Sequence, residues 1–159
     1  MAFKRRVIRE RVLQALYALE LSKAPLPDVV EYMFGHLTLQ KEAMDFARSL
    51  LEKVVEQQET IDRIIREKVT NWEFNRIAVI DKLVLRMGIC ELLFFEDIPP
   101  KVTINEAIEV AKHFSTENSG MFVNGVLDSV LIDLKSKGAL KKSGRGLMEF
   151  SLKKSKKTP

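Results

Sequence analysis

Cysteine is almost missing. Cys90 is the only thiol in 159 residues. An intramolecular disulfide is therefore excluded, and so is a zinc site built from several thiolates. Histidine is nearly as scarce, with His36 and His113 alone, so no metal site and no cofactor is expected. Seven glycines and five prolines are too few for collagen-like or low-complexity sequence. No apolar run approaches the roughly 18 residues of a bilayer span. Arg9, Glu10 and Arg11 stand where a secretory signal would need its apolar stretch. The expectation is a soluble cytoplasmic chain with no membrane association. Strand signals are scarce too. No segment alternates apolar and polar residues over six or more positions, and Asn124-Gly125 falls inside a helix-period pattern rather than between β-branched runs.

Apolar residues make up 46% and charged residues 30%, which excludes a wholly disordered chain. A domain near this length buries roughly 68–70% of its unfolded surface, so one core suffices without covalent staples. The net charge of +4 conceals an asymmetry. Residues 1–12 carry Lys4, Arg5, Arg6, Arg9 and Arg11 against Glu10, and residues 135–159 carry nine Lys or Arg against Glu149. Residues 13–134 have 12 basic and 20 acidic side chains. An acidic body with two basic ends fits a protein that meets nucleic acid. Solubilising tails are the alternative reading.

Apolar residues recur at three and four, the period of amphipathic helices. A first helix is predicted from about residue 3 to residue 22, with Val12, Leu13, Leu16 and Leu19 on one stripe. Pro25 and Pro27 end it. Asp28 is placed to cap a short second helix that runs through Tyr32 and Phe34 to Gly35. Residues 39–70 read as helical, with Met44, Ala47, Leu51, Val54 and Val55 as the stripe and a break near Glu56–Thr60. Thr60 or a neighbour would cap the next segment, which carries Ile61, Ile64, Ile65 and Val69. Thr70-Asn71 begins a connector. The most apolar helix follows from about 76 to 95, and such a helix should be central. Pro99-Pro100 blocks continuation. Thr103-Ile-Asn-Glu106 has the spacing of a capping box for a sixth helix. A seventh spans about 118 to 136, with Gly138 at its end. The fold class is all-α, a bundle of about seven helices over residues 1–137, followed by a basic, flexible tail at 138–159.

The basic start of the first helix is the most informative local feature. Arg5 and Arg9 are i, i+4 neighbours, and the row continues to Leu13. Guanidinium groups on a rigid element suit phosphate contact and base stacking. Cations at a helix N-terminus also oppose its dipole, which favours function over stability. The alternative is an amphipathic start with Arg9 paired to acidic neighbours. Cys90 reads as a buried small hydrophobe. His113 suits a helix C-terminus, and Trp72 reads as a packed plug, with a binding platform as the alternative. Asn105 and Asn124 read as hydrogen bonders at a helix start and in helix packing. No convergent titratable pair points to catalysis, so no enzyme is expected.

Four segments carry a resemblance. They are Arg9-Glu10 with Leu13-Gln-Ala-Leu-Tyr17, then Ile80-Asp-Lys-Leu-Val-Leu-Arg86 with Glu91-Leu92, then Pro99-Pro-Lys-Val-Thr-Ile-Asn-Glu-Ala-Ile-Glu-Val-Ala-Lys112, and Phe122-Val-Asn-Gly-Val-Leu-Asp128. In this order and spacing, over roughly residues 4 to 135, the chain resembles the bacterial NusB family of transcription antitermination factors. The tail after Gly138 is longer and more basic than many members carry. The resemblance implies an all-helical fold of two packed subdomains. It also implies binding of the single-stranded boxA RNA of ribosomal operons, jointly with the small-subunit ribosomal protein NusE, within an antitermination complex with RNA polymerase. By position it assigns RNA contact to Lys4, Arg5, Arg6 and Arg9, and to a second surface at Asn118, Gly120 and Phe122. It assigns NusE contact to Tyr17 and Asp81. A homodimer is compatible with the sequence. The same helical fold also occurs as an RNA-binding domain of ribosomal RNA cytosine methyltransferases, whose catalytic domain is not expected here. The competing reading is a stand-alone helical protein-interaction module whose basic ends only solubilise it.

Overall fold

The computed structural model describes residues 5–35 and 40–147. Lys4, His36 and residues 148–159 of the basic tail lie outside them. Eight α-helices and one 3-10 turn occur among the described residues, with no strand. They are α1 (Arg5–Ser22), α2 (Leu26–Phe34), α3 (Lys41–Glu56), α4 (Gln58–Lys68), α5 (Asn71–Arg76), α6 (Val79–Phe94), α7 (Pro100–Phe114) and α8 (Glu117–Ser136), then the turn Gly144–Leu147.

The apolar α6 is central. It is buried without interruption from Leu83 to Leu92 and packs against α1, α3, α4, α7 and α8. Helices α1, α2 and α3 form one packed group, and α7 with α8 forms the most extensive helix pair; α6 touches both. A single hydrophobic cluster runs through the whole. Gly88 lets α8 approach α6: a Cβ there would lie 2.9 Å from a methyl of the buried Leu127. Cys90 is fully buried in this core, and burial pushes its thiol pKa well above the ordinary range.

Several element boundaries differ from the sequence expectation. Helix α2 starts at Leu26 after Pro25, so Asp28 sits inside its first turn and not at its cap. The break between α3 and α4 falls at Gln57, and Thr60 lies within α4. Val55 is exposed; Ala43, Phe46 and Leu50 join the buried stripe in its place. The connector after Thr70 holds a helix of its own. Thr70 and Glu73 form a true capping box there, with Thr70 N–H donating to Glu73 at 2.9 Å and Glu73 N–H to Thr70 Oγ1 at 3.1 Å.

The second Thr-x-x-Glu motif is not a capping box. Helix α7 begins at Pro100, three residues before Thr103. Proline at the first helical position has its φ set for the helix and lacks only an N–H that would have no intrahelical partner. Thr103 is left one turn inside, buried, with its hydroxyl donating to Glu91 at 2.9 Å. Asn105 and Asn124 are exposed.

Gly138 ends α8 as expected, at φ +65°. Its N–H donates to Lys135 O, and Ala139 N–H donates to Leu134 O at 2.8 Å, the Schellman pattern that favours glycine. The chain beyond is docked as far as it is described. Lys142 Nζ donates to the carbonyls of Glu91 and Phe95 at 3.1 and 2.7 Å, closing the C-terminus of α6. Ser143 N–H donates to Glu96 O at 3.0 Å. Gly146 is buried against the Glu96 carbonyl, where a Cβ would collide. The body therefore extends past residue 137 to the Gly144–Leu147 turn.

Candidate nucleic-acid interface

The basic face starts on the first turns of α1. Arg5 and Arg6 are exposed. The Arg5 guanidinium lies 4.5 Å from the Phe46 ring centroid. Arg6 donates through Nη2 to Glu106 of α7 at 2.6 Å, and this hydrogen bond raises the Arg6 pKa above its ordinary value. One turn on, Arg9 is only 3% exposed. Its Nε and Nη2 donate to the two carboxylate oxygens of Glu91 at 2.7 and 2.8 Å. Glu91 also accepts the Thr103 hydroxyl, so one buried carboxylate ties α1, α6 and α7 together. Burial opposes the Arg9 charge, and attraction to Glu91 outweighs it, leaving the pKa raised. Arg9 is thus not presented to solvent. The row that carries it turns into core one turn earlier than the stripe beginning at Val12 predicts. Its acidic partner is 82 positions away and not a neighbour in sequence. Glu10 meets His113 Nδ1 at 2.6 Å.

A cleft of about 760 Å³ opens between the end of α4, α5, the start of α6 and α8. Its walls include Trp72, Arg76, Asp81, Met121, Phe122 and Val126. Phe122 is half-buried. Trp72 is no plug: it is 64% exposed, and the Arg76 guanidinium one helical turn on lies 4.5 Å from its ring centroid. Lys68 on the rim is paired with Asp133, and hydrogen bonding to Lys68 lowers the Asp133 pKa. Below the rim, Phe74 is held between Arg66 and Lys82, at 4.1 and 4.4 Å from its centroid. Asp81 is 9% exposed, and its Oδ2 accepts the Ser119 hydroxyl at 3.1 Å. Asp81 Oδ1 is buried with no hydrogen-bond partner among the described residues.

The remaining expected residues lie nearby in the chain. Asn118 is exposed on the first turn of α8, and Gly120 is buried, where a Cβ would come 2.8 Å from the Lys112 side chain. Tyr17 is 37% exposed on α1 and does not line the cleft. The structure thus brings Asp81 and Phe122 into one cleft, although the sequence assigns them to different surfaces. It adds Trp72 and Arg76, which sequence reasoning missed as site residues. Their i, i+4 spacing in a short polar segment is the signal that was available.

Residues 6–131 match the model of the NusB family. The chain belongs to the NusB family. Transcription antitermination protein NusB of Chloroherpeton thalassium is 44% identical over 155 residues, covering 97% of this chain and 74% of that protein. The NusB of Salinibacter ruber is 44% identical over 145 residues, covering 91% of each. Among solved structures, T. maritima NusB superposes with a TM-score of 0.76 at 41% identity, covering 82% of this chain and 92% of that one. A chain from the complex of NusB and NusE with double-stranded RNA gives a TM-score of 0.72 at 25% identity, covering 79% and 94%. The NusB match takes in α1 with its arginines and the cleft residues of α5, α6 and α8 alike. No helix among the described residues is long and apolar enough to cross a membrane.

Proposed function

We infer that this NusB-family chain is a cytoplasmic, non-enzymatic transcription antitermination factor that binds single-stranded boxA RNA together with a NusE-type ribosomal protein. In that role it supports processive transcription by RNA polymerase. The observation that carries the reading is the family match over residues 6–131, joined to a relative solved with NusE and RNA. The chain's own chemistry agrees with it. Arg5 and Arg6 stand exposed on a rigid helix start, where guanidinium groups meet phosphates or bases. Phe122 offers a half-buried ring beside the exposed Asn118, a suitable surface for unstacked bases. In this reading Lys4, Arg5 and Arg6 contact RNA, while Arg9 anchors the helix that presents them. Asn118, Gly120 and Phe122 form the second RNA surface, Gly120 by its close packing. Tyr17 and Asp81 face NusE.

The test is binding of labelled boxA and scrambled RNA over a salt series, with and without NusE. Replacing Arg5 and Arg6 by Ala should weaken boxA binding. It should also reduce the log–log salt slope by about 0.7 for each phosphate that is no longer neutralised. Equal affinity for boxA and scrambled RNA under both conditions would leave only a helical interaction module.

A further inference from the structure

We propose that the cleft between α5, α6 and α8 is a pocket for one unpaired RNA base, stacked on Trp72 and selected by Asp81 for an exocyclic amino group. The proposal rests on the RNA-binding reading above and adds a base-selective subsite to it. Three independent observations meet in the cleft. The first is an exposed aromatic face. Apolar side chains of this size are normally covered, yet Trp72 is 64% exposed and lines the opening with Phe122. Every base offers a flat π-face that stacks on such a ring. The second is charge. Arg76 lies against Trp72 at 4.5 Å and makes no ion pair among the described residues. It can therefore meet the phosphate attached to a stacked base.

The third is Asp81. Its Oδ1 is buried without a donor while its Oδ2 is bonded to Ser119. A buried acceptor without a partner is costly, and an entering donor would satisfy it. Rotation about the soft terminal torsion of the carboxylate brings Oδ1 toward the cleft that Asp81 lines. An ionised carboxylate only accepts. Cytosine, adenine and guanine each carry an amino group that can donate to it. Uracil has a single N–H between two carbonyl oxygens, and those oxygens would face the carboxylate. A docked protein side chain would also need a donor for Asp81. It would not account for a broad bare ring with a cation against it as directly as a stacked nucleotide does.

The chain has one tryptophan, so its native fluorescence reports on this pocket alone. Single-stranded boxA-like RNA carrying a fluorescent end label is titrated with the full chain, and RNA anisotropy and Trp72 emission are read together. Emission should be quenched in step with the anisotropy rise. Trp72→Ala should weaken binding roughly 5- to 100-fold with an unchanged salt slope, and Trp72→Phe should restore most of the affinity. Replacing the responding amino-bearing base by uracil should weaken binding to the wild type and make no difference to Asp81→Ala, with circular dichroism as the folding control. If anisotropy saturates with no change in emission and Trp72→Ala binds like wild type, the pocket proposal fails and RNA binding stands. If wild-type anisotropy does not respond at all, the RNA-binding reading fails and the pocket falls with it. If emission responds only to NusE and Trp72→Ala weakens only that complex, the cleft is a protein-docking site and the base assignment is overturned.

Discussion

Arg6 and Arg9 show how little a residue type says before its surroundings are known. Both are arginines on the first turns of one helix, and both meet a glutamate of a distant helix. Arg6 keeps a side chain 49% exposed, whereas the side chains of Arg9 and Glu91 are 4% and 2% exposed. Removing one partner of a buried ion pair leaves an uncompensated charge and costs about 3–5 kcal/mol. A surface pair is worth about 0–1 kcal/mol. Arg9→Ala should therefore lower the urea midpoint severely, while Arg6→Ala should leave it within about 1 kcal/mol of wild type and act on RNA affinity instead. Equal, small stability losses for the two variants would contradict the buried triad of Arg9, Glu91 and Thr103. The stripe running from Arg9 to Leu13 was legible in the sequence because i, i+4 spacing is local. That Glu91 takes the Arg9 charge was not, since nothing local links positions 82 apart.

At the level of elements, the C-terminus of α6 depends on chain that follows α8. Helix ends leave carbonyls without intrahelical donors, and Lys142 supplies a cation to two of them. Hydrogen bonds from charged groups contribute roughly 1.5–3 kcal/mol. Ending the chain after Gly138 should therefore lower stability by about 2 kcal/mol, with Lys142→Ala giving a large share of that effect. Thermal melts of the two variants check this, and an unchanged melting temperature would mean the turn at Gly144–Leu147 is not held in solution. The sequence suggests a flexible tail from 138 because Lys, Ser and Gly dominate it. What docks it is a carbonyl at the end of another helix, a partner that composition does not reveal. The two Thr-x-x-Glu segments make the same point. Thr70 caps because the chain before it is extended, at ψ 160°. Thr103 does not, because Pro100 has already started the helix.

The whole molecule is organised around one helix. Since α6 packs against five others and a single apolar cluster joins them all, neither helical group has a core of its own to retain. Unfolding should be cooperative, with far-ultraviolet circular dichroism and Trp72 fluorescence following one transition in urea. Two separated transitions would show that the groups on either end of α6 melt independently. The same centrality serves function. The basic turns of α1 and the cleft at α5, α6 and α8 are both attached to α6 through buried contacts, Arg9 to Glu91 on one and Ser119 to Asp81 on the other. Two RNA-facing regions are thereby held on one rigid support, as a single extended strand requires.

The sequence by itself determined the all-α class, the central apolar helix, the end of α8 at Gly138 and the family. Each is written in spacings of three and four residues, in a glycine where φ must be positive, or in motifs read in order. Helical hydrogen bonds and local steric limits act within a few positions, so a linear text can carry them. Only the tertiary structure decided that Arg9 is buried, that Thr103 serves a carboxylate, that Lys142 closes α6, and that Trp72 stands open beside Asp81. Burial and ion pairing choose their partners by distance in space, and that distance exists only once the helices have packed.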